Sequence, residues 1–248
     1  MGNQISKGCP TQEALMLKQK DPTLFGGEFV NIVVGNRGYT FRGRLISFAS
    51  SYFDGIIHDS VANYTNKPLV LKNTKNEVFE VFLFWLYTGQ LFEDMGATKA
   101  QHPDFRKLLC EVWVFADKCG IPALKNTIID ILIDLWLAGS DDLVCYVQYI
   151  YENTSAGADL RKLAVDMVAL WWYSLADWVE SAIEEKTIEG RQEFLQDLII
   201  RRRAHEGPHE YARCEICRQS NKRSACSVRK CEYHDHDSPG RLRSGLEP

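Results

Sequence analysis

The stretch EVFEVFLFWLYTGQL, residues 77–91, decides the fold class more than any other part of the sequence. From Glu77 to Tyr87 it is apolar on almost every side, which is typical of a helix buried within a domain. Gly89 predicts the end of this helix, because glycine readily adopts the left-handed conformation found after helix C-termini. The helix therefore belongs to the interior of a folded domain.

The residues before this helix predict a small sheet with short helical segments. The β-branched run Phe29–Val34 ends at Gly35, and the stretch Tyr39–Arg42 then alternates aromatic and polar side chains, which predicts a β-hairpin. The remaining expected elements are, in order, a short helix through Leu45, Ile46 and Ala49, the pair Tyr52-Phe53, a short apolar turn at Ile56 and Ile57, and a third strand at Pro68–Leu71.

Downstream, apolar side chains repeat at helical spacing. One repeat runs from Phe105 to Ala116 and stops at Gly120, and a second runs from Ile121 to Leu135 with Pro122 near its first turn. We therefore expect two adjacent helices joined at Cys119-Gly120. Further helical patterns, separated by short Gly, Ser and Asp breaks, cover residues 143–151, 160–172, 175–183 and 188–200.

Two segments of this pattern resemble a known family. The buried helix ends in WLYTGQL at residues 85–91, after a strand pair, a short helix ending in Ser-Tyr-Phe at 51–53, and a third strand. The joint of the next two helices reads VFADKCGIPALKN at residues 114–126, similar to the Ala-Asp-Lys-Tyr-Gly-Ile-Pro-Leu-Leu-Lys-Asn segment of BTB/POZ domains in the version common in fungi. Residues 28–137 therefore resemble a BTB/POZ domain.

The resemblance implies an α/β fold in which a small sheet caps a helical cluster. It also implies protein–protein association and no catalysis. Members form homodimers or hetero-oligomers through the first helix and adjoining strands, and many recruit a cullin as substrate adaptors for ubiquitin ligation. The physical pattern agrees, because such a layered domain offers flat apolar faces that usually bind a partner.

The chain departs from the family pattern where relatives carry charges that line the dimer groove. The family's Asp at the start of the first strand falls near Phe29, and its basic residue after the second strand falls near Gly43. The His that usually precedes that basic residue is Arg42. The groove chemistry of this chain therefore differs from that of its relatives.

Candidate partner-binding residues lie in two places. The hydrophobic-x-Glu pattern that helps some adaptors hold a cullin is matched by Leu91, Phe92 and Glu93, and Tyr52 and Phe53 lie in the Ser-Tyr-Phe segment. A cullin is therefore a candidate partner by analogy of fold.

The N-terminus matches the pattern for N-myristoylation. The chain opens MGNQISKGC, so that Gly2 is exposed once Met1 is removed and Ser6 lies at the required offset. Cys9 is a candidate palmitate acceptor, and a second signal of this kind is needed because one myristoyl chain binds a bilayer only marginally. The alternative is an unmodified flexible leader.

Six candidate zinc ligands lie near the C-terminus within 23 positions, and four suffice for a tetrahedral site. They are Cys214, Cys217, Cys226, Cys231, His234 and His236. The gaps match no familiar zinc-finger spacing, and residues 218–229 supply almost no apolar side chain for a small core. The alternatives are a zinc-binding tail and a reduced, disordered one, and no other cofactor is expected.

Composition is typical of a folded intracellular protein. With 248 residues, 45% of them hydrophobic, the chain can bury a substantial core. No apolar stretch reaches the roughly 18 to 20 residues of a membrane-spanning helix. Cys110, Cys119 and Cys145 lie in apolar helical patterns, which is typical of reduced cysteines. We expect a cytoplasmic or nuclear protein, with membrane association only through N-terminal lipidation.

No pattern predicts catalysis or nucleic-acid binding. His58 and His102 have no nucleophile partner in the sequence pattern, and no phosphate-binding loop occurs. Residues 201–248 carry eleven Lys and Arg against seven Asp and Glu, but Arg201–Arg203 also suit the dipole at a helix C-terminus. We therefore expect a protein that is not an enzyme, and we do not assign Arg201–Arg203 as a DNA-binding site.

These patterns predict four regions: a flexible leader at 1–24, a BTB/POZ domain at 25–137, an all-helical extension at 138–203, and a basic tail containing Cys and His at 204–248. The favoured function is an interaction module that forms homo- or hetero-oligomers, with adaptor function for a cullin-based ubiquitin ligase as a further expectation. The alternative is a membrane-tethered or nucleic-acid-associated regulator that uses a lipidated N-terminus or a zinc-binding tail.

Overall fold

The computed structural model describes residues 21–62, 67–92, 103–138, 143–170, 192–204 and 230–235. The strands are β1 (Phe29–Val34), β2 (Arg37–Arg42) and β3 (Leu69–Leu71). The helices are α1 (Gly43–Ala49), α2 (Ser51–Ala62), α3 (Asn76–Thr88), α4 (Pro103–Lys118), α5 (Pro122–Ala138), α6 (Leu143–Asn153), α7 (Asp159–Leu170) and α8 (Gln192–Ala204). Short 3₁₀ turns cover Pro22–Phe25 and Lys230–Tyr233. The mixed α/β class predicted from the sequence is confirmed, and the described chain is mostly helical with a small sheet.

The chain divides into two compact units. Unit 1 comprises Met1–Ile128 and Asp235–Pro248, and unit 2 comprises Ile129–His234. The division falls inside α5, which is continuous from Pro122 to Ala138. The four regions expected from the sequence stay predictions.

The sheet of unit 1 has β1 at its centre, paired antiparallel with β2 and parallel with β3. Val34 pairs with Arg37, so Gly35 and Asn36 alone form the hairpin loop. Gly35 has φ 57°, a left-handed conformation that two-residue hairpin loops require and glycine adopts without strain. The predicted β-hairpin is therefore present.

The core of unit 1 is built around α3. Its buried side chains lie on several sides of the helix, as the apolar run predicts, and they are Val78, Phe79, Val81, Phe82, Trp85 and Leu86. The Phe82 ring is stacked on Phe53 with centroids 6.1 Å apart and tilted against Phe115 at 5.4 Å. Each such side chain, when fully buried, contributes about 1.5 to 3 kcal/mol to folding.

The Ser-Tyr-Phe segment lies at the start of a helix and not at the end of one, which corrects the sequence-based expectation. Ser50 ends α1 in an extended conformation with φ −139°. Its hydroxyl oxygen accepts the Phe53 N–H at 3.2 Å, so that Ser50 caps the following helix. The turn predicted at Ile56 and Ile57 is therefore part of the longer helix α2.

The joint between α4 and α5 is held against the joint between α1 and α2. Ser50 Oγ donates to the Cys119 carbonyl at 2.5 Å, and the Ser51 N–H donates to the Gly120 carbonyl at 3.4 Å. Gly120 has φ 60° and contacts Ser51 so closely that an added Cβ would lie 2.3 Å from Ser51 Oγ. Glycine adopts this conformation without strain, and any other residue here would also require the Ser51 hydroxyl to rotate away.

Unit 2 is held together by the buried guanidinium of Arg161 on α7. Its Nε donates to Thr154 Oγ1 at 2.9 Å, one Nη donates to the Tyr151 carbonyl at 2.6 Å, and the other forms a 2.5 Å ion pair with Glu193 on α8. Asp166 on α7 is likewise paired with Arg201 on α8. Within the described ranges, no helix combines the length and the apolar character needed to cross a bilayer.

Candidate interaction surface

The two faces of the sheet differ in burial. One face carries core side chains, among them Ile32, Val34, Phe41 and Leu71. The other face, called here the outer sheet face, is formed by the residues in register with each other on the opposite side: Phe29, Asn31, Val33, Gly38, Thr40, Arg42 and Val70. On it, Phe29 is 59% exposed and Val70 is 49% exposed.

Phe29 is held in position by Arg42. The two residues are direct partners in the β1–β2 ladder, and Arg42 Cζ lies 3.9 Å from the centroid of the Phe29 ring. Arg42 also donates to the Gly27 carbonyl at 3.0 Å. A cation over an aromatic ring at an exposed site contributes about 0.5 to 1 kcal/mol. The pair therefore presents an ordered aromatic and cationic group on the outer sheet face.

Gly43 is closely packed against β1 and the residue that precedes it. The Gly43 N–H donates to the Glu28 carbonyl at 3.0 Å. A Cβ added at Gly43 would lie 2.9 Å from Val30 Cγ2, which is closer than side chains tolerate. A larger residue at position 43 would therefore require the Val30 side chain to shift.

The edges of the sheet are open in the described part of the chain. The strand order β2-β1-β3 places β2 and β3 at the edges, and β3 is only three residues long. Edge strands present unpaired backbone N–H and C=O groups that can pair with another chain. The outer sheet face is thus flanked by groups able to form further hydrogen bonds.

Of the residues predicted to bind a partner, two are buried in the core of unit 1 and two are half-buried. Phe53 is 0% exposed and Leu91 is 4% exposed, so both belong to the core. Tyr52 and Phe92 are half-buried, and the Phe92 ring lies 4.9 Å from that of Phe105. Glu93 lies outside the described residues. The structure therefore leaves Tyr52 and Phe92 as the members with accessible surface.

The family-like segment 114–126 supplies a buried charge cluster in unit 1. The Lys125 ammonium lies 2.7 Å from Asp117 Oδ1 and 2.9 Å from Asp235 Oδ2, and its side chain is 4% exposed. Burial opposes the charged form of Lys125, but the two carboxylates outweigh burial and raise the pKa of Lys125 above its usual value. Lys125 therefore stays protonated in the folded protein at neutral pH.

Of the candidate zinc ligands, the structure describes the surroundings of His234. His234 is buried in unit 2, and its Nε2 lies 3.0 Å from Asp130 Oδ1. Cys231 lies in the turn Lys230–Tyr233, whereas Cys214, Cys217, Cys226 and His236 lie outside the described residues. Among the described residues, no three His, Cys, Asp or Glu side chains are placed to hold a metal ion. The zinc site stays a prediction, and so does lipidation at Gly2 and Cys9, which also lie outside the described residues.

No protein-family model matches the chain, and no curated protein matches it. The resemblance to BTB/POZ domains therefore rests on the residues of segments 85–91 and 114–126. Membership of that family is a proposal.

The sequence carried a signal for the outer sheet face but none for the position of Asp235. Phe29 and Val33 alternate with core residues, so the strand carries apolar side chains on its outer face as well, although Asn31 lies between them. Asp235 lies 110 positions from Lys125, and no local pattern relates residues so far apart. The charge cluster could therefore be found only from the structure.

Proposed function

We propose that this chain is a BTB/POZ-type protein-interaction module that self-associates through the outer sheet face. The observation that carries the proposal is the exposure of Phe29 and Val70, at 59% and 49%, on one face of a small sheet. Val70 pairs with Val33, four positions along β1 from Phe29, so a partner that contacts both side chains must cover most of this face. The partner that binds this face is a second copy of the chain.

The order of elements in unit 1 supports the BTB/POZ type. A strand pair is followed by helices, a third strand, the helix α3 and then the helix pair α4–α5. This is the order that the resemblance implies, and the family-like segment 114–126 lies at the α4–α5 joint. The third strand pairs with the first in parallel, so the sheet closes over one core.

Magnitudes indicate which groups an interface must use. Burying the exposed parts of Phe29 and Val70 contributes on the order of 1 kcal/mol for each side chain. Association costs about 4 to 15 kcal/mol in lost translational and rotational freedom, so these two side chains cannot hold a dimer alone. The open edges must add backbone hydrogen bonds, and Arg42 must add polar contacts at the rim of the Phe29 ring.

Sedimentation velocity of the full-length chain tests the proposal. The wild-type protein is expected to show a concentration-dependent dimer, and the Phe29→Asp and Val70→Asp variants are expected to raise its dissociation constant at least tenfold. Tyr87→Asp is the matched control, because Tyr87 is 46% exposed in unit 1 but lies on α3. A dimer that survives both sheet substitutions, or is lost equally in the control, contradicts the assignment of the outer sheet face.

The adaptor role is a separate part of the proposal, because it rests on the resemblance alone. Leu91, the apolar residue of the hydrophobic-x-Glu pattern, is only 4% exposed. If a cullin binds here, Phe92 must therefore make the apolar contact. A purified cullin N-terminal domain is expected to bind the wild-type chain and to bind the Phe92→Ala variant at least tenfold more weakly. Binding that Phe92→Ala leaves unchanged contradicts this assignment, and no binding at all contradicts the adaptor role.

A further inference from the structure

The charge cluster of unit 1 holds one residue from a distant part of the chain. Lys125 lies between the carboxylates of Asp117 and Asp235, and its ammonium is 4.9 Å from the centroid of the Trp113 ring. A buried charge is costly unless it is paired. The direct pair with Asp117 satisfies that need from the adjoining helix, so the second carboxylate is bound in addition.

Asn126 binds the backbone of the same distant residue. Its Nδ2 donates to the Asp235 carbonyl at 3.0 Å, and its Oδ1 accepts the Asp235 N–H at 2.8 Å. Lys125 and Asn126 together therefore bind the N–H, the C=O and the carboxylate of Asp235. Peptide-binding sites work in this way, because backbone bonds give affinity and a side-chain pocket gives specificity.

The turn that carries the site is held by bonds in which Asp235 takes no part. The turn that joins α4 to α5 is closed by the Ile121 N–H, which donates to the Ala116 carbonyl at 2.8 Å, and by the left-handed Gly120. The Ser50 hydroxyl holds the same turn from the other side through the Cys119 carbonyl. Asp117, Lys125 and Asn126 are thereby fixed within one short stretch of chain, and Asp235 reaches them as a ligand does.

We propose that Asp117, Lys125 and Asn126 form a recognition site for an acidic peptide of a partner protein, and that Asp235 occupies this site as a built-in competitor. The site takes one aspartate, whose carboxylate bonds Lys125 and whose backbone bonds Asn126. Because Asp235 belongs to the same chain, its binding is intramolecular, and a free peptide must compete with its effective concentration at the site. The partner therefore binds only weakly until Asp235 is displaced. None of the residues involved belongs to the outer sheet face, and the proposal stands independently of self-association.

Fluorescence anisotropy of a labelled peptide tests the proposal. The probe has the sequence of residues 229–237 with Ser in place of Cys231, which prevents disulfide formation. The full-length Asp235→Ala variant is expected to bind it at least tenfold more tightly than the wild-type chain. The same peptide with Asn at its Asp235 position is expected to bind that variant at least tenfold more weakly.

Two further full-length variants show whether the site itself is responsible. Adding Asn126→Ala to Asp235→Ala is expected to remove binding, whereas adding Lys118→Ala, which deletes a neighbouring cation, is expected to leave it unchanged. Circular dichroism identifies any variant that fails to fold, and in that case Asp235→Asn, which removes the charge and keeps the shape, takes its place. Peptide affinity that does not change on removal of Asp235, or that is lost equally with Lys118→Ala, overturns the proposal.

Discussion

Gly120 combines a left-handed backbone conformation with a close neighbour, the Ser51 side chain. It adopts a left-handed φ of 60°, and an added Cβ would lie 2.3 Å from Ser51 Oγ. Gly89 also has a left-handed φ, of 72°, but among the described residues an added Cβ there meets no heavy atom within 4 Å. Alanine substitutions at the two glycines therefore distinguish the cost of backbone strain from the cost of moving the Ser51 hydroxyl.

We predict that Gly120→Ala lowers the free energy of unfolding by about 1 to 3 kcal/mol, because backbone strain adds to the cost of moving the Ser51 hydroxyl. Gly89→Ala carries the strain alone and is expected to cost about 1 kcal/mol. Urea denaturation of the two variants measures both values. Equal losses would mean that the Ser51 contact does not constrain the fold.

For single residues, the sequence predicts local conformation better than it predicts contacts with distant parts of the chain. Gly120 was expected as a helix break, and it is one. Its contact with Ser51 was not expected, because 69 positions separate the two halves of this joint and no helical or strand period relates them. The contact between Phe29 and Arg42 was not expected either, because it depends on the register of the hairpin.

At the scale of elements, the boundary between α1 and α2 depends on Ser50. Its buried hydroxyl accepts the Phe53 N–H and donates to the Cys119 carbonyl, so one side chain caps a helix and holds a second helix joint. Apolar periodicity predicted helical segments here but placed Ser-Tyr-Phe at the end of one. Periodicity records which face is buried, whereas the start of a helix is set by a capping bond that periodicity does not contain.

We predict that Ser50→Ala lowers the free energy of unfolding by about 1 to 3 kcal/mol, since a cap and a buried hydrogen bond are both lost. Thr127→Ala is the control, because the Thr127 hydroxyl donates to the Ala123 carbonyl of its own helix, at 2.8 Å. Its cost is expected to be below about 1 kcal/mol. Thermal and urea denaturation compare the two, and a Ser50 variant as stable as the Thr127 variant would contradict the double role.

At the scale of the whole molecule, the buried tyrosines of unit 2 couple stability to alkaline pH. Tyr151 donates to Asp197 Oδ2 at 2.7 Å and Tyr233 donates to Asp166 Oδ2 at 2.6 Å. Burial, and then these carboxylate acceptors, raise the pKa of both tyrosines well above the usual value. Their contribution to stability is therefore complete below the unfolded-state pKa of about 10 and is lost as the pH rises beyond it.

We predict that the urea midpoint of the wild-type chain falls between about pH 8 and about pH 10.5. The variant carrying both Tyr151→Phe and Tyr233→Phe is expected to lose less over the same interval, because phenylalanine does not ionise. Its stability at pH 8 is expected to be lower, since two hydrogen bonds are absent. An equal alkaline loss in both proteins would assign the pH dependence to other groups.

Across the whole chain, most long elements could be predicted from the sequence, and one short turn could not. The α/β class and the longer helices from α3 onward followed from apolar periodicity, which long elements display strongly, whereas α2 was expected only as a short turn. The turn Lys230–Tyr233 did not, although Tyr233 and His234 are buried in unit 2, because a six-residue segment is too short to show a period. Part of the tail that the sequence favoured as disordered or zinc-binding therefore packs against the fold through polar contacts.

The mass of the full-length chain in solution, measured by light scattering over a range of concentrations, tests the central claim most directly. Self-association through the outer sheet face predicts a mass that rises from the 28.4 kDa of one chain towards twice that value, and that stays at one chain in the Phe29→Asp variant. A wild-type mass of one chain at every concentration would contradict self-association. A doubled mass that Phe29→Asp does not change would place the interface elsewhere.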